Sequence, residues 1–248
     1  MKVLSNLIST GILVVSVVLP SAAYAADTPM ASTAPKGFCA NTTQVDAKVA
    51  SGLVTQANKL AQDRANADSK LAQARVNVDA TVTSDRSKSD TIRQANFTKL
   101  QADATTDAKK QAVTTFEQTI LAAVATRRNA VDAARNSFRT AENQAVASRR
   151  AQIDAAVASF KTAITAAEAQ AQTSCNSGTA SAIVRTSFQT AIKTARTNFH
   201  TATSSVAKLK GAIDPLAQTR VSTIKAADAT FKSTVQQAVT TLKSVLRK

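Results

Sequence analysis

Residues 116–137 read FEQTILAAVATRRNAVDAARNS and residues 138–159 read FRTAENQAVASRRAQIDAAVAS, with Phe, Ala-Val-Ala, Arg-Arg, Asp-Ala-Ala and Ser in the same slots. A third copy opens at Phe160 as FKTAITAAEAQ and stops at Cys175-Asn176-Ser177-Gly178, a helix end followed by a new start. Further on the same unit recurs at half the period. TASAIVRTSFQ, TAIKTARTNFH and TATSSVAKLKG begin at Thr179, Thr190 and Thr201, and Thr219, Thr230 and Thr241 keep that spacing. Eleven residues make three helical turns at about 3.67 residues per turn, so a seam with this period stays on one face. Repeats of this kind describe stacked helices rather than a chemical site. Phe116, Phe138, Phe160, Phe188, Phe199 and Phe231 are the expected repeat core.

The rest of the chain suits the same class. Ala, Thr, Gln, Ser, Lys and Arg dominate, and past residue 40 the helix breakers are Gly52, Gly178, Gly211 and Pro215 alone. Ala favours helix but buries little apolar area, a conflict that long, closely packed helices settle through length and repetition. Asn41-Thr42-Thr43-Gln44 has N-cap spacing, and apolar residues follow at helical intervals from Val45 to Val82. That stripe fails at Thr83–Thr91, which holds no apolar residue, and again at Gln101–Gln111, which offers only Ala.

Cys39 precedes the first helix and Cys175 ends the repeat helix. A bridge between them needs Cα atoms within about 7 Å. It would force the intervening chain to double back near residue 107, where Asp103-Ala104-Thr105-Thr106-Asp107 supplies helix-start residues and the Phe repeat loses phase. Ser84–Asp90 is a rival turn, and one unbroken helix is a third arrangement. The reading adopted is a hairpin with its tip between residues 84 and 110.

Lys208, Lys210, Gly211 and Asp214-Pro215 mark a further break, leaving helices over 179–210 and 215–247. The expected fold is therefore all-α. A long antiparallel hairpin with 22- and 11-residue repeats (41–175) carries a shorter basic hairpin (176–248) packed at its base. Ahead of them stand a flexible leader (26–40) and a signal peptide (1–25). The signal has Lys2, an apolar stretch from Leu7 to Leu19, and small residues at Ala23 and Ala25. That apolar run is shorter than the roughly 20 residues of a spanning helix. The product is expected to be exported, periplasmic or extracellular, with no lipid anchor and no transmembrane segment after signal removal.

The full chain has a formal net charge of +15. Residues 179–248 hold eleven Lys and Arg against Asp214 and Asp228, which makes the C-terminal third the expected polyanion-facing part. The candidate contacts are Arg127, Arg128, Arg149, Arg150, Arg185, Lys193, Arg196, Lys208 and Lys210. On a straight helix the two Arg-Arg pairs lie about 33 Å apart, close to one DNA turn of about 34 Å. Asp132 and Asp154 each follow an Arg by four residues, so pairing along the helix with Arg128 and Arg150 is expected.

Little here suits catalysis. No His, Cys, Asp and Glu cluster has metal-ligand spacing, no Gly-rich phosphate loop occurs, and His200, the one histidine, occupies a polar repeat slot. The expectations are no catalytic residue, no metal, no cofactor and no small-molecule substrate. The 22-residue period is similar to that of exchangeable apolipoprotein helices, but one Phe per 22 residues among Ala falls short of a lipid-binding face. The spaced Thr resembles the helical antifreeze proteins of fish, whose flat Thr/Ala face is here interrupted by Arg and Lys. The leading functional expectation is a non-enzymatic scaffold or interaction protein of the envelope or extracellular space, with self-association through its helices possible. The alternatives are a polyanion binder (nucleic acid, anionic glycan or anionic lipid) and a holdase-like chaperone, which resembles exported basic helical-arm chaperones in composition and shape.

Overall fold

The computed structural model describes residues 37–247; the expected signal peptide, the expected leader up to residue 36 and Lys248 lie outside the described residues. The described chain is a bundle of helices without a strand: one 3-10 turn at Phe38–Ala40, then α1 (Thr42–Asp103), α2 (Asp107–Asn176), α3 (Ser181–Ser205) and α4 (Leu209–Leu246). None of the described helices is long and apolar enough to cross a membrane.

Local chemistry explains the breaks. Between α1 and α2 the side chain of Thr106 accepts the Lys109 N–H (3.3 Å), and its carbonyl accepts the Lys110 N–H (2.9 Å). Thr106 is thus an N-cap, followed by Asp107 at the positive end of the helix dipole. This turn falls inside the expected 84–110 window, while the rival stretch 84–90 is helix interior. At the end of α2 the Thr179 N–H reaches the Ser174 carbonyl and the Gly178 N–H reaches that of Cys175, both at 3.1 Å. That is a Schellman motif, and Gly178 at φ 80° supplies its left-handed residue.

The helices pack as two compact units. Among the described residues, the first combines 37–71 with Val146–Leu209, and the second combines Ala72–Ala145 with 210–247. α3 groups with the first unit and α4 with the second.

In the first unit Cys39 and Cys175 form a disulfide with Cα atoms 5.5 Å apart. Residues 37–40, at the end of the expected leader, lie against α3. Phe38 packs on Phe188 (centroids 5.5 Å), the Cys39 N–H donates to Ser181 Oγ (3.1 Å), and a Cβ on Gly37 would come within 2.8 Å of Ser181 Cβ. The core beneath them is Ala167, Ala171, Val184 and Phe188, and Phe160 meets Phe199 at 5.4 Å. In the second unit Ala104, Val113 and Leu242 are buried together with Phe116 against them, and Phe97 meets Phe116 edge-on at 6.2 Å.

The eleven-residue period governs every helix. On α2, Ala112, Ala123, Ala134, Ala145, Ala156 and Ala167 form one unbroken series. A parallel series reads Phe116, Arg127, Phe138, Arg149, Phe160 and Ala171. The apparent 22-residue repeat is this alternation of Phe and Arg at one seam position. α4 answers it in the second unit: Arg127 lies over the Phe231 ring (5.7 Å), Arg220 lies over the Phe138 ring (4.3 Å), and Leu242 lies in the cluster that Phe116 packs against. Phe231 and Phe138 thus each lie beneath a guanidinium, which contributes roughly 0.5–2 kcal/mol per ring.

α4 starts earlier than the expected 215, which leaves Pro215 inside the helix. Its cause is the seam. Ile213 is buried and continues the series Ile224, Val235 and Leu246, so packing extends the helix back through Gly211 against local propensity.

Candidate functional site

The charged groups of the repeat form a pattern across helices. α1 carries the segment Arg-x-x-x-Asp three times, as RANAD (64–68), RVNVD (75–79) and RSKSD (86–90). α2 carries RNAVD (128–132), RTAEN (139–143) and RAQID (150–154) at the same spacing. Because the two helices run in opposite directions, each segment meets a reversed copy of itself, and Arg faces carboxylate at both ends.

In the first unit Arg64 donates through both terminal nitrogens to Asp154 (2.8 and 3.2 Å), and Arg150 does the same to Asp68 (2.7 and 3.0 Å). Gln172 continues the register to Asp46 at 2.7 Å. In the second unit Arg86 grips Asp132 (2.7 and 2.9 Å), and Arg128 grips Asp90 (2.7 and 3.0 Å). Between them Arg139 binds Asp79 (2.7 and 3.0 Å), while Arg75 reaches Glu142 (2.5 Å) and Asn143 (2.9 Å), the last residue of the departing RTAEN copy. Arg135 also pairs with Asp79. Every step up α1 is matched by an equal step down α2: 64 with 154, 68 with 150, 79 with 139, 86 with 132, and 90 with 128. The result is a ladder of squares, each holding two cations and two groups that accept from them. Arginine suits the task because its planar fork meets a carboxylate with two parallel hydrogen bonds.

This arrangement corrects two expectations. Asp132 and Asp154 do not pair along the helix with Arg128 and Arg150; all four reach across to α1. The α1 stripe breaks at 83–91 because Arg86 and Asp90 occupy seam and rung positions there, so a polar stretch is still a packed one.

The candidate polyanion contacts divide accordingly. Arg128 and Arg150 are engaged in squares, Arg127 donates to Asp228 (2.5 Å), and Lys210 pairs with Asp214. Arg149 is half-buried, and its Nε has no hydrogen-bond partner. Arg196 has a partner of its own. Arg185 and Lys193 are exposed on α3, a helix without a carboxylate, and Lys208 is exposed in the link after it. His200 is exposed, with Nδ1 3.4 Å from Ser204 Oγ. Among the described residues no group of three or more His, Cys, Asp or Glu is placed to hold a metal ion. Comparison with protein-family models, with curated proteins and with solved structures finds no match to this chain.

The rungs set the pH response. Hydrogen bonds from Arg150, Arg139 and Arg86 hold the carboxyls of Asp68, Asp79 and Asp132 below their ordinary values, against some desolvation. A folded-state pKa below the unfolded one means that the unfolded chain binds more protons. The stabilisation is complete above the unfolded value of about 3.9 and fades as pH falls through the folded values. Glu168 works the other way, raised by burial and by Asp46 nearby, and partly offsets the loss. Urea midpoints measured at pH 7 and pH 3 should therefore fall on acidification. With these carboxylates about half exposed, each rung contributes roughly 0.5–1 kcal/mol. Asp79→Asn and Asp132→Asn should each reduce the pH 7 to pH 3 difference; an unchanged difference in both variants would show that the rungs do not contribute to stability.

Proposed function

We propose that this chain is an exported, non-enzymatic scaffold or interaction protein. The observation that carries this reading is the self-neutralising ladder: the arginines and carboxylates of the repeated five-residue segments of α1 and α2 are engaged with each other, mostly in bidentate pairs repeated at a fixed interval. Such a construction fixes the register of two long helices without a large apolar core. It leaves outward-facing Lys, Thr, Gln and Ala, together with isolated exposed apolar residues such as Val54 (59% exposed) and Ile183 (60%), as the surface for partners. The disulfide fits an oxidising compartment, which agrees with export.

The test is site-specific photo-crosslinking in the native envelope, with the probe placed in turn at Val54 and Ile183 and at an internal control, Val113, which is fully buried. A scaffold gives discrete adducts from the outer positions and none from Val113. Absence of adducts from both outer positions sinks the reading.

A second reading, polyanion binding, draws on α3. Arg185 and Lys193 are exposed there on a helix with no acidic residue. Such binding falls steeply with salt. Retention on heparin should then drop between about 50 and 200 mM salt and should weaken in Arg185→Gln/Lys193→Gln, whereas loss of the ladder cations Arg128 and Arg150 should not weaken it in any variant that stays folded. Salt-independent retention rules this second reading out.

A further inference from the structure

One side-chain cluster of the second unit stands outside the balanced squares. The segment Arg-x-x-x-Asp has its departure on α2 in RTAEN (139–143), where Asn143 fills the slot held by Asp132 and Asp154 in the copies on either side. Arg75 donates there to Glu142 (2.5 Å) as well as to Asn143 (2.9 Å). Asp79 accepts from Arg139 (2.7 and 3.0 Å) and also from Arg135. One carboxylate thus serves two guanidinium groups, on side chains that are only 17% (Arg135) and 26% (Arg139) exposed.

Arg220 of α4 adds a third guanidinium. Phe138 and Arg139 follow Arg135 by three and four residues, so all three share one face of α2. Arg220 lies over the Phe138 ring at 4.3 Å, and among the described residues it has neither a hydrogen bond nor an ion pair. The ring offers no in-plane lone pair, which leaves the five N–H donors of the guanidinium for another acceptor. Burial works against the charge of Arg220, Glu142 supports it, and Arg135 and Arg139 oppose it, so its pKa falls below the ordinary guanidinium value. Four cations (Arg75, Arg135, Arg139 and Arg220) therefore stand against two carboxylates (Asp79 and Glu142). Asp132, 3.9 Å from Arg135, is gripped by Arg86, and that pair adds one charge of each sign. The carboxylates of α4 are engaged elsewhere, Asp214 by Lys210 and Asp228 by Arg127.

We propose that Arg135, Arg139 and Arg220 form a site for a dianionic phosphoryl group, either free phosphate or a phosphate monoester. Its two negative charges match the excess of two cations, where a carboxylate brings only one. A tetrahedral oxyanion offers acceptors to guanidinium groups arriving from two helices, and each planar fork can meet two of its oxygens. The site lies on α2 and α4, apart from the exposed cations of α3, and rests on neither reading given above.

The experiment follows the arginine Nε–H resonances of the purified protein by NMR while inorganic phosphate, glycerol phosphate or acetate replaces chloride at constant ionic strength. The signals of Arg220 and Arg139 should shift together and saturably with phosphate, and far less with acetate. Arg220→Gln should weaken the response of Arg139 at least about tenfold, as loss of a charged hydrogen-bond donor. Asn143→Asp supplies the missing carboxylate without removing a cation. It should weaken phosphate about threefold while the thermal midpoint stays equal or rises, a combination that misfolding cannot imitate. Circular dichroism melting confirms that each variant folds. A shift that does not saturate, an equal response to acetate, or an unchanged affinity in either variant overturns the proposal. A phosphate response that disappears in Arg185→Gln/Lys193→Gln overturns it too and assigns the anion to α3. Tighter binding of glycerol phosphate than of phosphate identifies the ligand as an ester, and the reverse order identifies it as the free ion. Crosslinking at Val54 and Ile183 and heparin retention through α3 do not involve these arginines, so each reading fails separately.

Discussion

Removing the Cys39–Cys175 bond, as Cys39→Ser/Cys175→Ser or by reduction, should lower the stability of the first unit by about 3–5 kcal/mol. The bond spans a sequence separation of 136 residues, so the unfolded chain gains a large loop-closure entropy when it is cut. Around it the native structure supplies a small core in which two of the four buried residues are Ala, with Phe38 held on Phe188 and Cys39 on Ser181. Those contacts survive reduction but become the sole hold on residues 37–40. Urea unfolding followed by circular dichroism, with and without reductant, measures the change. The first residues of α1 should fray first, while the squares of the second unit persist and retain most of the helical signal. A shift below about 1 kcal/mol would mean that the unit does not depend on its clasp.

An equally large effect should follow from inserting a single Ala between Ser84 and Asp85. One residue rotates the following helix by about 100°. In the second unit, the Arg86–Asp132 and Asp90–Arg128 rungs and the Phe97–Phe116 contact would then be out of phase with the Arg75 and Asp79 rungs on the other side of the insertion. Either the rungs or the ring contact must break. The expected cost is at least about 3 kcal/mol, comparable to losing a buried Phe. Substitution of Ser84 by Ala at constant length should change stability by no more than about 0.5 kcal/mol, as an exposed position away from the seam. Thermal melting of the two variants side by side separates phase from composition.

The helical class, the turn near residue 107 and the Cys39–Cys175 bond are legible in the sequence because each rests on a local signal. Those signals are Ala with almost no Gly or Pro, a Thr106-Asp107 start, and two cysteines at the ends of two long helices. The cross-helix squares are not legible by hydrophobic periodicity. The seam of α1 places Arg64, Arg75 and Arg86 where an apolar residue is sought, in series with Phe97. The stems of these arginines pack along the neighbouring helix while their heads pair, so they act as seam residues without scoring as apolar. The signal that reveals them is the eleven-residue recurrence of Arg-x-x-x-Asp on α1 and of Arg-x-x-x-Asp/Asn on α2, since reversing one copy against the other sets each Arg opposite an acceptor. Within a single helix the same spacing reads as Arg128 with Asp132, which is the pairing that sequence alone suggests. The early start of α4 is hidden for a different reason. Gly211 and Asp214-Pro215 are sound stop and start signals, and the burial of Ile213 overrides them.

If an eleven-residue ladder fixes the packing of these helices, whole periods should be removable where single residues are not. The most direct measurement is made in the second unit, by deleting one period from each of its three helices at once, residues 80–90, 128–138 and 220–230. This removes the Arg86–Asp132 and Asp90–Arg128 square with the opposing part of α4, and shortens each helix by about 16 Å. The remaining rungs and rings keep their phase. Circular dichroism melting should show a cooperative transition with undiminished helicity per residue and a midpoint within about 8 °C of the parent. A non-cooperative melt, or a loss as large as that of the single-residue insertion, would contradict the ladder.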